Sequence, residues 1–238
     1  MASLAEALAQ TFLPSTCATC GAALPWKGSR ASVCAACWAS LRPHGEPACP
    51  RCGEPGVEGE GPCLACRTDP PPWHAAASFG PYAGRLRDLV LLLKSGGRDE
   101  LAQPLAGLLV NAMADAGWPP PDAVVPVPMS GWRRLRRGYN QAELLARALS
   151  RRAGAPLVPA LGRRRGAAQV GRARTERLRL SSSAFPARRP LSGRALLIDD
   201  VLTTGATAAA CSRSLAAAGA SEIYVLTLAR TPRSGRIP

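Results

Sequence analysis

The chain has 238 residues, 47% of them hydrophobic, enough for one ordinary α/β domain with a real core plus something small. Its formal net charge is +14, but the excess is local: residues 1–72 carry 5 basic and 6 acidic side chains, residues 73–122 carry 4 and 5, and residues 123–238 carry 21 arginines against 5 acids. No apolar run reaches the roughly 18 residues of a membrane span, so none is expected, and the one-sided C-terminal field favours polyanions, either pyrophosphate-bearing substrates or nucleic acid. Lys94 is the single lysine after residue 30, so part of that excess is a preference for arginine on solvated surfaces.

Residues 1–14 lack a basic region and are interrupted by Glu6 and Gln10, so they are not read as a signal peptide, and a cytoplasmic location is expected. Leu4, Leu8 and Phe12 recur at helical spacing and predict a short amphipathic helix. Eight of the nine cysteines then form four CxxC pairs: Cys17/Cys20, Cys34/Cys37, Cys49/Cys52 and Cys63/Cys66. In a cytosolic chain such spacing indicates metal and not a disulfide framework. Each CxxC turn supplies one edge of a tetrahedron, and two turns complete a closed, structural Zn²⁺ site.

Gly21 and Gly53 follow the first and third pairs, whereas the second and fourth lead into short helical segments near Trp38 and Arg67. This internal repeat favours joining the first pair with the second and the third with the fourth, giving two zinc sites; interleaved pairing stays open. A thioredoxin-like redox role fits less well, because no βαβ pattern surrounds any pair. His44 and His74 are not needed as ligands. Without metal these residues have little to fold around, so metal loss is expected to unfold residues 14–68 and leave the remainder largely intact. Asp69-Pro70-Pro71-Pro72 makes a stiff connector. It divides the chain into a cysteine-rich zinc-binding domain, residues 1–72, and a second domain, residues 73–238.

Beyond the connector, Ala75 to Phe79 reads as a strand, and Arg85 to Ser95 as a helix burying Leu86, Leu89, Val90 and Leu93. Lys94 closes that helix, where a cation complements the dipole and also stands ready for an anion. A helix over Leu101 to Ala114 follows, then a buried strand from Ala123 that runs into Pro126 and Pro128. Residues 131–141, GWRRLRRGYNQ, pack Arg133, Arg134, Arg136 and Arg137 beside a helix opening near Asn140. Such density can compensate a diphosphate, while Trp132 and Tyr139 interleave aromatic faces as single-strand binders do. The helix Ala142 to Arg152 carries Leu144, Leu145, Ala148 and Leu149 inward. A short strand at Leu157-Val158 precedes residues 162–183, which have seven arginines and no clean period and read as a mobile hood.

Residues 195–207, ALLIDDVLTTGAT, carry the densest chemistry. The apolar run Ala195 to Ile198 reads as a central strand of a parallel sheet, ending in Asp199 and Asp200. Thr203, Thr204, Gly205, Ala206 and Thr207 then open an alanine-rich helix that runs to Ala218. Amides at a helix N-terminus lack internal partners and suit a phosphate monoester. Two carboxylates beside a phosphate need another task, such as binding vicinal hydroxyls or helping to hold Mg²⁺. Ile223 to Leu228 reads as the last strand, Cys211 as a small core residue, and the tail from Thr231 as disordered.

The string at 195–207 resembles the phosphoribosyl pyrophosphate (PRPP) signature of type I phosphoribosyltransferases. That resemblance implies an α/β fold with a parallel five-stranded sheet, flanking helices and a variable hood. It also implies that Asp199 and Asp200 contact the ribose hydroxyls as the catalytic acids, and that Thr203 to Thr207 wrap the 5-phosphate. Over nearly its full length the chain is similar to the ComF family, on the cysteine-rich N-terminus, residues 81–94 and 126–146, Gln169, Ala184-Phe185 and 195–207. Arg137, Gly138 and Asn140 match the most specific internal motif; Gly166 and Leu180 depart from the family at positions usually Thr and Asn.

The resemblance implies a PRPP-binding protein of DNA uptake in natural transformation, binding single-stranded DNA and working with other competence or DNA-uptake proteins. It equally implies an active phosphoribosyltransferase with Mg²⁺ and an unidentified acceptor. Lys94, Arg133, Arg136 and Arg137 would serve pyrophosphate or DNA in either case.

Overall fold

The computed structural model describes residues 16–24, 33–57, 59, 61–95, 97–164 and 182–232. The predicted N-terminal helix, most of the hood with Gly166, Gln169 and Leu180, and the last six residues lie outside the described residues. The chain folds as α/β, with a parallel sheet flanked by helices and a cysteine-rich region ahead of it.

Two short helices, α1 (Ala35–Ala39) and α2 (Leu64–Thr68), each start inside a CxxC pair, with Cys34 and Cys63 as N-caps. Then come β1 (Ala75–Pro81), α3 (Gly84–Ser95), α4 (Ala102–Asp115), β2 (Ala123–Pro126), α5 (Gly131–Arg137), α6 (Gln141–Ala153), β3 (Arg194–Leu202), α7 (Ala206–Ala217) and β4 (Glu222–Arg230). Helix α6 begins where the sequence predicts: the Asn140 side chain accepts from the Ala142 amide, satisfying one of the donors a helix start leaves open. Among the described residues no helix is long and apolar enough to cross a membrane.

Among the described residues the sheet has four strands in the order β1-β4-β3-β2, all parallel, and not five. The segment expected as the fifth strand contributes one bridge, Val124 to Leu157, beside β2. Pro156 and Pro159 bracket Leu157-Val158. A proline has no N–H for a ladder and cannot sit in a continuing strand. Pairing therefore stops after the Val158 amide donates to the Val124 carbonyl.

Alternate residues of the strands divide the core between two faces. One face packs Val124, Leu196, Ile198 and Leu226 with α3, α4 and α6; the other packs Val125, Leu197 and Val225 with α7. Cysteine-rich residues belong to both clusters: Cys17, Val33, Cys37 and Leu41 to the first, Cys49, Cys52 and Cys66 to the second. A buried ion pair ties the same region to the sheet. Arg230, 1% exposed, reaches Glu54 with Nε at 3.0 Å and Nη2 at 2.6 Å, and donates from Nη1 to the Cys52 carbonyl.

Candidate functional site

Strand β3 is longer than its apolar run. It continues through both acids to Leu202, with Asp199 paired in register with Thr227 of β4. Four apolar residues in a row invite a strand end at the first charge, but the β4 ladder provides partners for three more positions, Asp199, Val201 and Leu202. The consequence is chemical: adjacent residues in a strand point to opposite faces, so Asp199 and Asp200 do not form one carboxylate pair.

Asp200 is buried on the α3 and α6 side. Its Oδ2 meets Lys94 Nζ at 3.1 Å and accepts from Gln141 Nε2 at 3.1 Å. Gln141 in turn accepts from Arg137 at 3.4 Å. Lys94 and Arg137, predicted as anion-binding cations, are thus brought to the acidic strand, Lys94 by direct ion pairing. Arg134 is drawn to Glu143 at 3.3 Å. None of the residues of α5 is buried, so Arg133 and Arg136 stand on a projecting helix beside Trp132 and Leu135, 71% and 78% exposed.

Asp199 faces the other side. With Thr203, Thr204, Gly205, Ala206 and Thr207 it lines one cleft at the start of α7. Thr203 and Thr204 are exposed, Gly205 is buried with φ +79°, and the Ala206 amide donates to Thr204 Oγ1 at 3.3 Å. Helices α6 and α7 lie on opposite faces of the sheet. The crevice at the carboxyl ends of β2 and β3 is therefore where the connections diverge, the place at which open α/β sheets bind ligands.

The cysteines form two groups, Cys17, Cys20, Cys34 and Cys37, and Cys49, Cys52, Cys63 and Cys66, with the sulfurs of each within 4.8 Å of one another. This resolves the pairing as first with second and third with fourth. Thiolates bound to zinc at about 2.3 Å define tetrahedral edges of about 3.8 Å. The Sγ separations of Cys20 to Cys34, 3.7 Å, and Cys52 to Cys63, 3.8 Å, fit that edge. Burial opposes ionisation of Cys17, yet hydrogen bonds from Thr19 and the Cys34 amide hold its thiol down at about 5. Against a hydrogen bond from the Ala22 amide, neighbouring thiols of the same group, Cys17 and Cys37 first, push Cys20 up to about 11.

Residues 8–67 match the double zinc ribbon domain family. The DNA utilization protein YhgH of Escherichia coli strain K12 is 34% identical over 206 residues, 84% of this chain and 90% of its own length. Competence protein F of Haemophilus influenzae is 32% identical over 213 residues, 83% of this chain and 90% of its own. The chain belongs to the ComF family. Competence protein ComFC of Bacillus subtilis strain 168 matches a shorter stretch, 38% identical over 111 residues, 45% of this chain and 44% of its own.

In this ComF protein three residues at the site escaped sequence reasoning. Gln141 was visible only as the end of an arginine-rich string, and its bridge between Arg137 and Asp200 exists only once α6 packs on β3. Arg163 was counted into the hood; it lies 5.0 Å over the Phe185 ring, and burial and then the Arg133 charge lower its pKa. Trp73 follows the proline connector and carries no pattern at all, yet it lies under Gly205.

Burial, and then the Asp200 charge, push the Asp199 carboxyl up to about 8. Asp199 therefore keeps its proton up to about pH 8. An unfolded aspartate titrates near 3.9, so between about pH 4 and about pH 8 the folded state binds more protons, and stability from this group falls as pH rises, then levels off. Asp199→Asn is expected to melt above the wild type at about pH 8 and to converge with it near pH 4. Thermal scans in which the two proteins differ equally at both ends would refute the protonated assignment.

Proposed function

We propose that this ComF-family protein binds PRPP at the β3 to α7 cleft and acts in DNA uptake with single-stranded DNA held along α5. The observation that carries the reading is the convergence, at the carboxyl end of β3, of a phosphate-type loop with Asp199 and, across the strand, of Lys94 and Arg137 tied to Asp200. The amides at the start of α7 would take the 5-phosphate, and Asp199 the ribose hydroxyls. Lys94 and Arg137 would turn toward pyrophosphate, with Asp200 and Gln141 holding them nearby. Mg²⁺, when bound with PRPP, would neutralise the diphosphate, and the acids on β3 are the carboxylates available to help hold it. The names of the relatives support the DNA-uptake role.

Arg133, Arg136 and exposed Trp132 suit a nucleic-acid strand, since cations track phosphates and an indole stacks on a base. The expected result is single-stranded DNA binding that weakens with salt; replacing Arg133 and Arg136 by alanine should flatten the log–log slope by about 1.4 units. Trp132→Ala should lose about 1–3 kcal/mol with little change of slope. The same titrations should show Asp199→Asn/Asp200→Asn losing about 1–3 kcal/mol or more in PRPP affinity. Undiminished PRPP affinity, or no DNA binding at physiological salt, would sink the corresponding half of the reading.

A second reading, phosphoribosyl transfer to an acceptor, is favoured by one observation: a carboxyl titrating near 8 inside a cleft is poised to ionise as positive charge develops beside it. Release of pyrophosphate from PRPP on adding nucleobases separates the two.

A further inference from the structure

Gly205 opens the loop before α7 with φ +79°, and a Cβ there would lie 3.0 Å from Cη2 of Trp73. The loop therefore rests on the Trp73 indole, which is 3% exposed. Trp73 Nε1 donates to the Arg51 carbonyl at 2.8 Å, and Arg51 lies inside the turn between Cys49 and Cys52. That turn presses on β1: a Cβ on Gly53 would come within 2.7 Å of the Ala76 carbonyl oxygen. A second connection runs through Arg230, which donates to the Cys52 carbonyl at 2.6 Å, while the next residue, Thr231, donates its amide to Leu202 at the end of β3. Both supports of the loop thus end in the second cysteine group. The first group packs on the other face, where Arg85 of α3 donates to the Thr19 carbonyl at 2.8 Å.

We propose that Trp73 is a positioning residue for the phosphate loop, held in place by the Cys49, Cys52, Cys63 and Cys66 group, so that affinity for a sugar 5-phosphate depends on that group and not on the first. The inference rests on the reading of Thr203 to Thr207 as a phosphate loop. Helix-start amides hold an anion only while their N–H vectors converge, and hydrogen bonds weaken steeply with distance and misalignment. A glycine-opened loop has no side chain of its own at that point to brace it. The indole supplies the floor, and the cysteine turn fixes the indole by its N–H.

The test uses the full chain, titrated separately with ribose 5-phosphate and with inorganic pyrophosphate. Trp73→Phe removes the N–H and the outer ring carbons under Gly205; Trp73→Ala removes the whole floor. Both are expected to bind ribose 5-phosphate about 10-fold or more weakly, with pyrophosphate affinity kept within about 2-fold. Cys63→Ser/Cys66→Ser should lose one zinc by elemental analysis and match Trp73→Ala, whereas Cys17→Ser/Cys20→Ser should lose the other zinc and keep ribose 5-phosphate affinity. If either cysteine variant is unfolded, Trp73→Phe decides alone. Equal loss for both ligands would reduce Trp73 to general stability and overturn the proposal. Unchanged ribose 5-phosphate binding in both Trp73 variants would overturn it while leaving the loop reading intact. A wild-type protein that does not bind ribose 5-phosphate would overturn both.

Discussion

Stripping zinc from the purified protein is expected to collapse the whole fold and not the cysteine-rich segment alone. Each cysteine group is part of an apolar cluster that it shares with the sheet: Cys17 and Cys37 with Leu86, Leu89 and Ile198, and Cys49, Cys52 and Cys66 with Trp73, Leu197 and Val225. Structural zinc contributes about 10–16 kcal/mol of apparent folding free energy in small domains, comparable to or larger than the roughly 5–15 kcal/mol that a whole domain retains. Without the metals that hold the cysteine turns together, and with both clusters open on one side, little net stability remains for the sheet. Elemental analysis should give two zinc ions per chain, and a strong chelator should remove helical circular dichroism in one transition. An α/β signal that melts near its original temperature after both metals are gone would establish two independent units instead.

Arg230→Ala should cost about 3–5 kcal/mol, the penalty for breaking one side of a buried ion pair. The change takes the guanidinium from the largely buried Glu54 carboxylate, deprives the Cys52 carbonyl of its donor and leaves a void at the end of β4. Arg230→Met with Glu54→Gln should recover part of that loss, because neither partner is then a buried unpaired charge. Urea denaturation measures both; a loss below about 1 kcal/mol for the alanine variant would mean that the pair is solvated in solution and does not clamp the two segments together.

Much of the layout was legible in residue order because it depends on local chemistry. CxxC spacing specifies thiolate geometry within a four-residue turn, so two zinc ribbons could be read before any fold was known. Periodicity located α3, α4 and α6 to within a few residues, since each buries one apolar stripe; alanine-rich composition located α7, and Asn140 marked the start of α6. The string from Ala195 to Thr207 announced a strand, two acids and a helix start on one short segment, which is why its cleft was visible in advance.

What residue order did not determine is whatever depends on a partner far along the chain. The end of β3 was misjudged because its last residues owe their extended backbone to pairing with β4 and not to their own side chains. The fifth strand was lost because two prolines limit pairing, a constraint that weighs only once Leu157-Val158 is laid against β2. The two adjacent acids looked equivalent in sequence; the pleat sent Asp200 to Lys94 and Gln141 and left Asp199 in the cleft, its carboxyl pushed up by burial. Trp73, Arg163 and Arg230 had no motif around them, because their roles arise from groups up to 178 residues away. Sequence alone thus determined the local elements and the chemistry within single turns. Only tertiary packing decided which faces those groups share, because side-chain direction in a strand and the fate of a buried charge are set by neighbours that the backbone brings together.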